Sequence, residues 1–541
     1  PNCCVCVDFT NISLMPSWLL SLLLLSESSH AYKILVYNSK FAHSHSNYLG
    51  QIADILVDAG HNVTSLIPVM DHSVRDGTEK SNKIYVQTDK VVKKFYEESA
   101  KNIPNFFEMS DANPAIAFVV GPMYAEMLYR SCKSVLEEPG LIERLRDEHY
   151  DVLIAENFDI CGMGISKAIA PKSTIGVSST CLFGWQFSDW GIPQALSYRP
   201  TNLVASFNVL SIIDRAYNIY GESLGRILFW FYRRAIEQAL QERFGPEYPT
   251  AVEQLSNVAY IFTNSEPLIE TAAPTTARVI DIGGIGAKLP TKLDDYWQGI
   301  LNLRPKAVLI SFGSITRSYL MPAAMKAGIL KAIARFPDVT FIWKYEELED
   351  EFATGEAAQV QNLVLTKWMP QSDILAHPNL AVFITHAGMG STQETAARGV
   401  PGIFVPLFAE QPRNAGMMEF NGLGRVFSKY DLSDDEMLAE TIRDLLYNEK
   451  YSKNAKRMSS MIAKKPFGSR ELLIKHVEFA AEFGPSAALR PQSIDMNVIE
   501  YNNIDAVFCL LFVTAIIILC TFKMFVYCMS KVSKSSKSKA D

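Results

Sequence analysis

"FITHAGMGSTQETAARGVPGIFVPLFAEQPRNAG", Phe383 to Gly416, starts in an apolar run (Ala381 to Ile384) that stops at His386 and a glycine-bearing turn. It resumes as a helix and ends in a second apolar run closed by Pro406. The spacing predicts strand, turn, helix, strand. Such units build parallel sheets, which hold ligands beyond the carboxyl ends of their strands, where free backbone N–H groups gather. Ser391 and Glu394 have capping-box spacing, which accounts for both by helix initiation alone. The turn from His386 to Gly390 also offers N–H groups at a positive helix end, a seat for a diphosphate.

Outward from this unit the same grammar repeats. Upstream, "AVLISFGS" (Ala307 to Ser314) reads as strand and turn, Met321 to Phe336 as a helix, and "VTFIWKY" and "NLVLTKWMP" as strands. An earlier half opens with the strand "YKILVY" (Tyr32 to Tyr37), then Tyr48, Leu49, Ile52, Ile55, Leu56 and Ala59 at helical spacing, and a strand starting "NVTSLIP". "YDVLIAE" (Tyr150 to Glu156), "NVAYIFTNSE" and "RVIDIGGIG" continue it. "GGIG" (Gly283 to Gly286) follows a strand, but Pro290 prevents a helix behind it, which excludes a dinucleotide fingerprint. The fold class is therefore α/β, two facing Rossmann-like domains whose cleft is the expected ligand site. The aromatic-rich helical stretch from Asp189 to Pro249 either lines an acceptor cavity or packs its half together, and packing is the reading preferred.

With 541 residues, 48% of them apolar and 20% charged, the chain has material for two cores. A formal charge of -7 and the lack of a basic stripe before the C-terminus argue against nucleic acid as a partner. Cys3, Cys4 and Cys6 crowd the N-terminus and form no zinc set, and Cys509, Cys520 and Cys528 lie in or beside the last apolar run. That leaves Cys132, Cys161 and Cys181 for the body, which we read as no disulfide framework. "MPSWLLSLLLLSESSHA" (Met15 to Ala31) has the pattern of a signal peptide. Ala506 to Thr521, continuing past Lys523 to Met529, is long enough to cross a bilayer once. The tail beyond carries Lys531, Lys534, Lys537 and Lys539, and the positive-inside rule puts it in the cytosol, with the body on the other side.

The expected domains are residues 1–31 (extension and signal), 32–286 (first α/β domain), 287–305 (polar linker), 306–460 (second α/β domain), 461–503 (helical segment), 504–529 (span) and 530–541 (basic tail).

"WMPQSDILAHPNLAVFITHAGMGSTQETAARGVPGIFVPLFAEQPRNA" (Trp368 to Ala415) resembles the signature of the UDP-glycosyltransferases, in particular the membrane-bound UDP-glucuronosyltransferase branch and its invertebrate relatives. The resemblance spans nearly the whole chain, in order: signal, histidine after the first strand, "NSE", "SFGS", signature, anchor and lysine tail. It implies the GT-B arrangement of two lobes, with the acceptor in the first and the UDP-sugar in the second. On it, Trp368 and Gln371 take the uracil, Ser314, His386, Gly390 and Ser391 the phosphates, Glu394 the ribose, and Glu410 and Gln411 the sugar hydroxyls. The UDP-sugar is a co-substrate, and no cofactor or metal is implied. Two departures stand out: Ala387 where many relatives have Gly, and Glu410 where Asp is usual. "KSKAD" at the end resembles a dilysine signal for the endoplasmic reticulum membrane.

Moving a sugar from UDP to a hydroxyl needs a base for the acceptor proton. His43 and His45 lie in the loop predicted beyond the first strand. The family's base stands sixteen residues before the His of a "GH" pair, here His61, which selects His45. Glu156, where vertebrate relatives have Asp, is the expected partner of that imidazole, with Asp159 in reserve. These placements imply inversion at the anomeric carbon. The aromatic stretch implies small lipophilic acceptors bearing hydroxyl or carboxyl groups. Glucuronate and glucose remain alternative donors, with Arg413 a candidate for the uronate carboxylate, and Asn62 is a glycosylation sequon at a strand start. The alternatives to a transferase are a silent UDP-sugar-binding protein, partnering active relatives as an oligomer, and a lipid-binding protein on the same fold.

Overall fold

The computed structural model describes residues 31–98, 105–110, 113–286 and 290–537. The signal segment up to residue 30, with Cys3, Cys4 and Cys6, and the tail from residue 538 lie outside the described residues.

Strands β1 (Lys33–Tyr37), β2 (Asn62–Val69), β3 (Asn82–Gln87), β4 (Val152–Glu156), β5 (Ser173–Ser178), β6 (Tyr260–Thr263) and β7 (Val279–Asp281) form a parallel sheet in the order β3-β2-β1-β4-β5-β6-β7. Strands β8 (Lys306–Ser311), β9 (Val339–Lys344), β10 (Leu363–Thr366), β11 (Leu380–Thr385), β12 (Gly402–Phe404) and β13 (Gly424–Val426) form a second, in the order β10-β9-β8-β11-β12-β13. The central strands are continuous apolar runs because helices cover both faces: Ile34 to Tyr37 and Ala307 to Ile310 are all buried. The chain order reverses between β1 and β4 in the first sheet and between β8 and β11 in the second. Diverging connections open a crevice at those two points.

The helices used below are α1 (His43–Asp58), α2 (Gly121–Glu137), α3 (Ile212–Phe244), α4 (Asp295–Leu301), α5 (Met389–Arg398), α6 (Gln411–Phe420), α7 (Glu449–Ala463), α8 (Ser469–Phe483) and α9 (Ile504–Lys537). The aromatic stretch is mostly α3, which packs along α2 and buries Phe229, Tyr232, Ile236 and Leu240 in the first lobe's core. Four readings of the sequence are corrected. His43 and His45 are not in a loop but in the first turn of α1. The polar linker contains α4, whose Trp297, Ile300 and Leu301 pack on the second sheet beside Leu309 and Phe383. Cys132 and Cys161 form a disulfide with Cα atoms 5.6 Å apart, fastening α2 to the segment after β4. Ser391 and Glu394 form no capping box, because α5 begins at Met389 with Gly388 at its N-cap and no side-chain cap.

The lobes are held together by a segment of each. Helix α8 returns from the second lobe and buries Leu473, Val477, Ala480 and Ala481 against Ile34, Ile52 and Phe262 of the first. From the first lobe Phe107 is buried in the second lobe's core, beside Phe312 at 5.5 Å. Beside it the Lys429 ammonium donates to the carbonyls of Phe106 (2.8 Å) and Met109 (2.6 Å). Asn62 is exposed at the start of β2.

Candidate active site

His45 reaches the carboxyl end of β4 from the first turn of α1, because both flank the reversal point of the first sheet. Its Nδ1 lies 2.8 and 2.9 Å from the two carboxylate oxygens of Glu156, the last residue of β4, and 2.8 Å from the Ser179 hydroxyl. The Ser179 hydroxyl also donates to Glu156. With Nδ1–H facing the carboxylate, Nε2 is the nitrogen left to accept a proton. Burial pulls the His45 pKa down, but Glu156, by charge and hydrogen bond, and Glu410 outweigh it, and the net shift is upward. Phe41, with ring centroids 4.5 Å apart, and Phe158, at 5.6 Å, wall the ring.

Glu156, not Asp159, is thus the partner of His45. Asp159 is buried, accepts from the Ser39 hydroxyl and the Cys161 N–H, and is raised by burial to about 6. His43 faces the other way, 5.9 Å from the Trp368 ring. Ser179 was not singled out in the sequence. It stands one residue beyond β5, the strand next to β4, which the sequence reading did not identify, so the carboxyl-end rule had no strand end there to act on.

Across the cleft, the turns after β8 and β11 meet at the second reversal point. His386 is pressed between Gly313 and Gly388, where an added Cβ would come within 2.7 and 2.5 Å of its ring. Burial and the neighbouring Lys344 push its pKa down to about 4, so it is a neutral hydrogen-bonding group. Lys344, at the end of β9, is a second residue the sequence reading missed. Its ammonium donates to the Gly313 carbonyl at 2.6 Å and pairs with Glu346 at 3.2 Å, next to Ser314. Ala387 is held at φ 61°, in the region that favours glycine, with its carbonyl accepting from Asn414 at 3.1 Å. At the N-terminus of α5, which holds Gly390 and Ser391, the N-cap residue Gly388 supplies no side-chain cap, and the Met389 N–H is met from α6 by Glu410.

Gln371 donates to Glu394 at 2.6 Å and to Ser391 at 3.2 Å, which joins three of the expected nucleotide residues in one network. Trp368 is 54% exposed, with Arg75 of the first lobe and Lys344 of the second each 5.6 Å from its ring centroid. Glu410 stands at the N-cap position of α6, with no side-chain capping bond. Burial raises its carboxyl, opposed by its own N–H, His45, the Met389 N–H and Arg413. The Gln411 side-chain Oε1 accepts from the Leu407 and Phe408 N–H groups at 2.9 and 3.1 Å, fixing the loop before α6.

The family model described as "UDP-glucoronosyl and UDP-glucosyl transferase" matches residues 32–539. The ugt-47 protein of Caenorhabditis elegans, named as a UDP-glucuronosyltransferase, is 29% identical over 523 residues, covering 94% of this chain and 95% of its own. Rat UDP-glucuronosyltransferase 1A7 is 25% identical, with 96% of this chain and 97% of its own covered. Among solved structures, Phytolacca americana UGT2 in complex with UDP-2fluoro-glucose and pterostilbene superimposes with a TM-score of 0.56 at 17% identity, over 84% of this chain and all of that one. The calicheamicin glycosyltransferase CalG4 gives 0.53 at 15% identity, over 85% of this chain and all of that one.

Proposed function

The chain belongs to the UDP-glucosyl and UDP-glucuronosyl transferase family and is a UDP-glycosyltransferase of two-lobed GT-B architecture, and from that premise we propose that it moves glucuronate from UDP-glucuronate to a hydroxyl or carboxyl of a small lipophilic acceptor. The observation that carries the reading is the meeting of the two lobes at the base: Glu156 holds Nδ1 of His45 at 2.8 Å in the first turn of α1, and in the same turn His43 lies 5.9 Å from the Trp368 ring of the second lobe. The putting of a base beside the residues expected to grip the sugar is what direct transfer requires.

In this mechanism the diphosphate lies at the N-terminus of α5, touching Ser314, neutral His386, Gly390 and Ser391, with Lys344 balancing its charge. Trp368 and Gln371 take the uracil, which requires Arg75 to leave the indole face, and Glu394 takes the ribose hydroxyls. Glu410 and Gln411 orient the sugar. Nε2 of His45 removes the acceptor proton as the acceptor oxygen bonds to the anomeric carbon, and the carbon–oxygen bond to UDP breaks on the opposite face. The product is the inverted glycoside, UDP and an imidazolium, which Glu156 stabilises until it loses its proton to water.

The test uses membranes expressing the full chain, given UDP-glucuronate or UDP-glucose with a panel of phenols and aromatic acids. UDP release that depends on acceptor, is greatest with UDP-glucuronate and is lost in His45→Ala is the expected result. Release that ignores the acceptor, or survives the substitution unchanged, defeats the proposal.

A further inference from the structure

A small cavity opens between the lobes and is lined by Leu182, Phe187, Arg199, Thr201, Asn202 and Arg413, among others. Leu182 lies just past Ser179, which touches His45, and Arg413 sits one turn beyond Glu410 on α6, so the cavity adjoins the place proposed for the sugar. Its two cations are unequal. Arg413 is fully buried, and one of its nitrogens donates to Glu270, but Nη1 is buried with no hydrogen-bond partner. Arg199 is half-buried and lies over the Phe187 ring at 4.1 Å. Among the described residues its guanidinium has no ion pair or hydrogen bond, since Glu270 is engaged by Arg413 and the nearby Glu222 by Arg226 at 2.8 Å. Burial, then Arg413, hold its pKa down to about 10, with Glu270 opposing them only in part.

Two guanidinium groups around one space, with a buried donor unsatisfied, call for a planar anion with two acceptor oxygens. We propose that this cavity is a carboxylate subsite in which Arg199 and the Nη1 of Arg413 hold a carboxylate of the substrate. The carboxylate comes either from a uronate donor or from an acidic acceptor. The inference rests on the proposed transferase reading for its place in the reaction, and the two are separable by experiment.

The test variant is Arg199→Leu, because Arg199 supports no hydrogen bond of the fold, whereas a change at Arg413 would also strand Glu270. Full-length protein in detergent is titrated with UDP-glucuronate and UDP-glucose, and with 4-hydroxybenzoate and its methyl ester. A loss of about ten-fold or more in affinity for UDP-glucuronate, with UDP-glucose unchanged, supports the subsite and assigns it to the donor. The same loss for 4-hydroxybenzoate, with its ester unchanged, supports it and assigns it to the acceptor. Arg199→Lys keeps part of the affinity in either case. Equal affinity of the wild type for acid and neutral ligands, or a variant that loses both alike or neither, overturns the proposal. Acceptor-dependent UDP release on the same preparation keeps the readings apart. Carboxylate discrimination without turnover defeats the transferase alone, and turnover without discrimination defeats the subsite alone.

Discussion

At the scale of one residue, the reaction turns on the protonation of His45. A general base must be neutral, and Glu156 and Glu410 together raise this imidazole above its ordinary value although burial opposes them. The rate should therefore fall as pH drops through that raised pKa, placing the acid limb of kcat/KM above pH ~6.5. Glu156→Gln keeps the shape but removes the charge, and burial then meets less opposition. The acid limb should shift to lower pH while the plateau drops by roughly 10²- to 10⁴-fold, since the imidazolium loses its counter-charge. A plateau loss with an unmoved limb would mean that Glu156 acts only through packing. Most of this site was legible in the sequence, because strand ends and a family pattern are local signals. Ser179 and Lys344 were not: each is an ordinary polar residue until a neighbouring strand brings it to the same sheet edge.

At the scale of the element, the N-terminus of α5 sets a local preference against a ligand's need. Gly390 lies in that first turn, and a Cβ built on it meets nothing within 4 Å. Gly390→Ala should therefore stabilise the protein by up to about 1 kcal/mol through helix propensity, read by chemical denaturation. The new methyl would stand where the diphosphate is proposed to lie, so UDP should bind several-fold more weakly; unchanged UDP affinity would remove Gly390 from the phosphate site. The Cys132–Cys161 bridge argues the other way, from constraint. It closes a sequence separation of 29 residues between α2 and the segment after β4, so losing it should cost about 3 to 4 kcal/mol. Denaturation of a Cys132→Ala, Cys161→Ala double variant measures this, and a change below about 1 kcal/mol would mean the bridge adds little. Neither the bridge nor α4 was readable from the sequence. Three cysteines give no pairing without a fold, and α4 is polar on the side that faces solvent, so its Trp297 and Ile300 stripe is hidden in a linker composition. Edge strand β3 escaped for a related reason: only Val86 of its six residues is buried, so it lacks the apolar run that announced β1 and β8.

At the scale of the whole molecule, the two-lobed body is joined to one apolar helix that it does not bury. Ile504–Val532 is 29 residues long, its most apolar 18-residue stretch has a mean hydropathy of 2.6 and is not packed inside the protein, and at 1.5 Å per residue the helix exceeds the ~30 Å hydrocarbon core of a bilayer. Its one interior charge, Lys523, lies toward the end where Lys531 follows, within reach of the interface by snorkelling. By length and composition this exposed apolar helix is a candidate to cross a bilayer, which would remove its apolar surface from water. The lysines past it are the sequence basis for expecting a cytosolic tail, and a disulfide such as Cys132–Cys161 is typical of oxidising compartments, so both bear on the same expected orientation. Ending the chain before Ile504 should free it from membranes on alkaline carbonate extraction while UDP still binds, because every residue proposed for the nucleotide lies upstream. In sealed vesicles, added protease should shorten the full chain only by its tail until detergent is present. Digestion of the body without detergent would reverse the orientation, and a truncated chain that resists carbonate would mean that Ile504–Val532 is not what holds the protein in the bilayer.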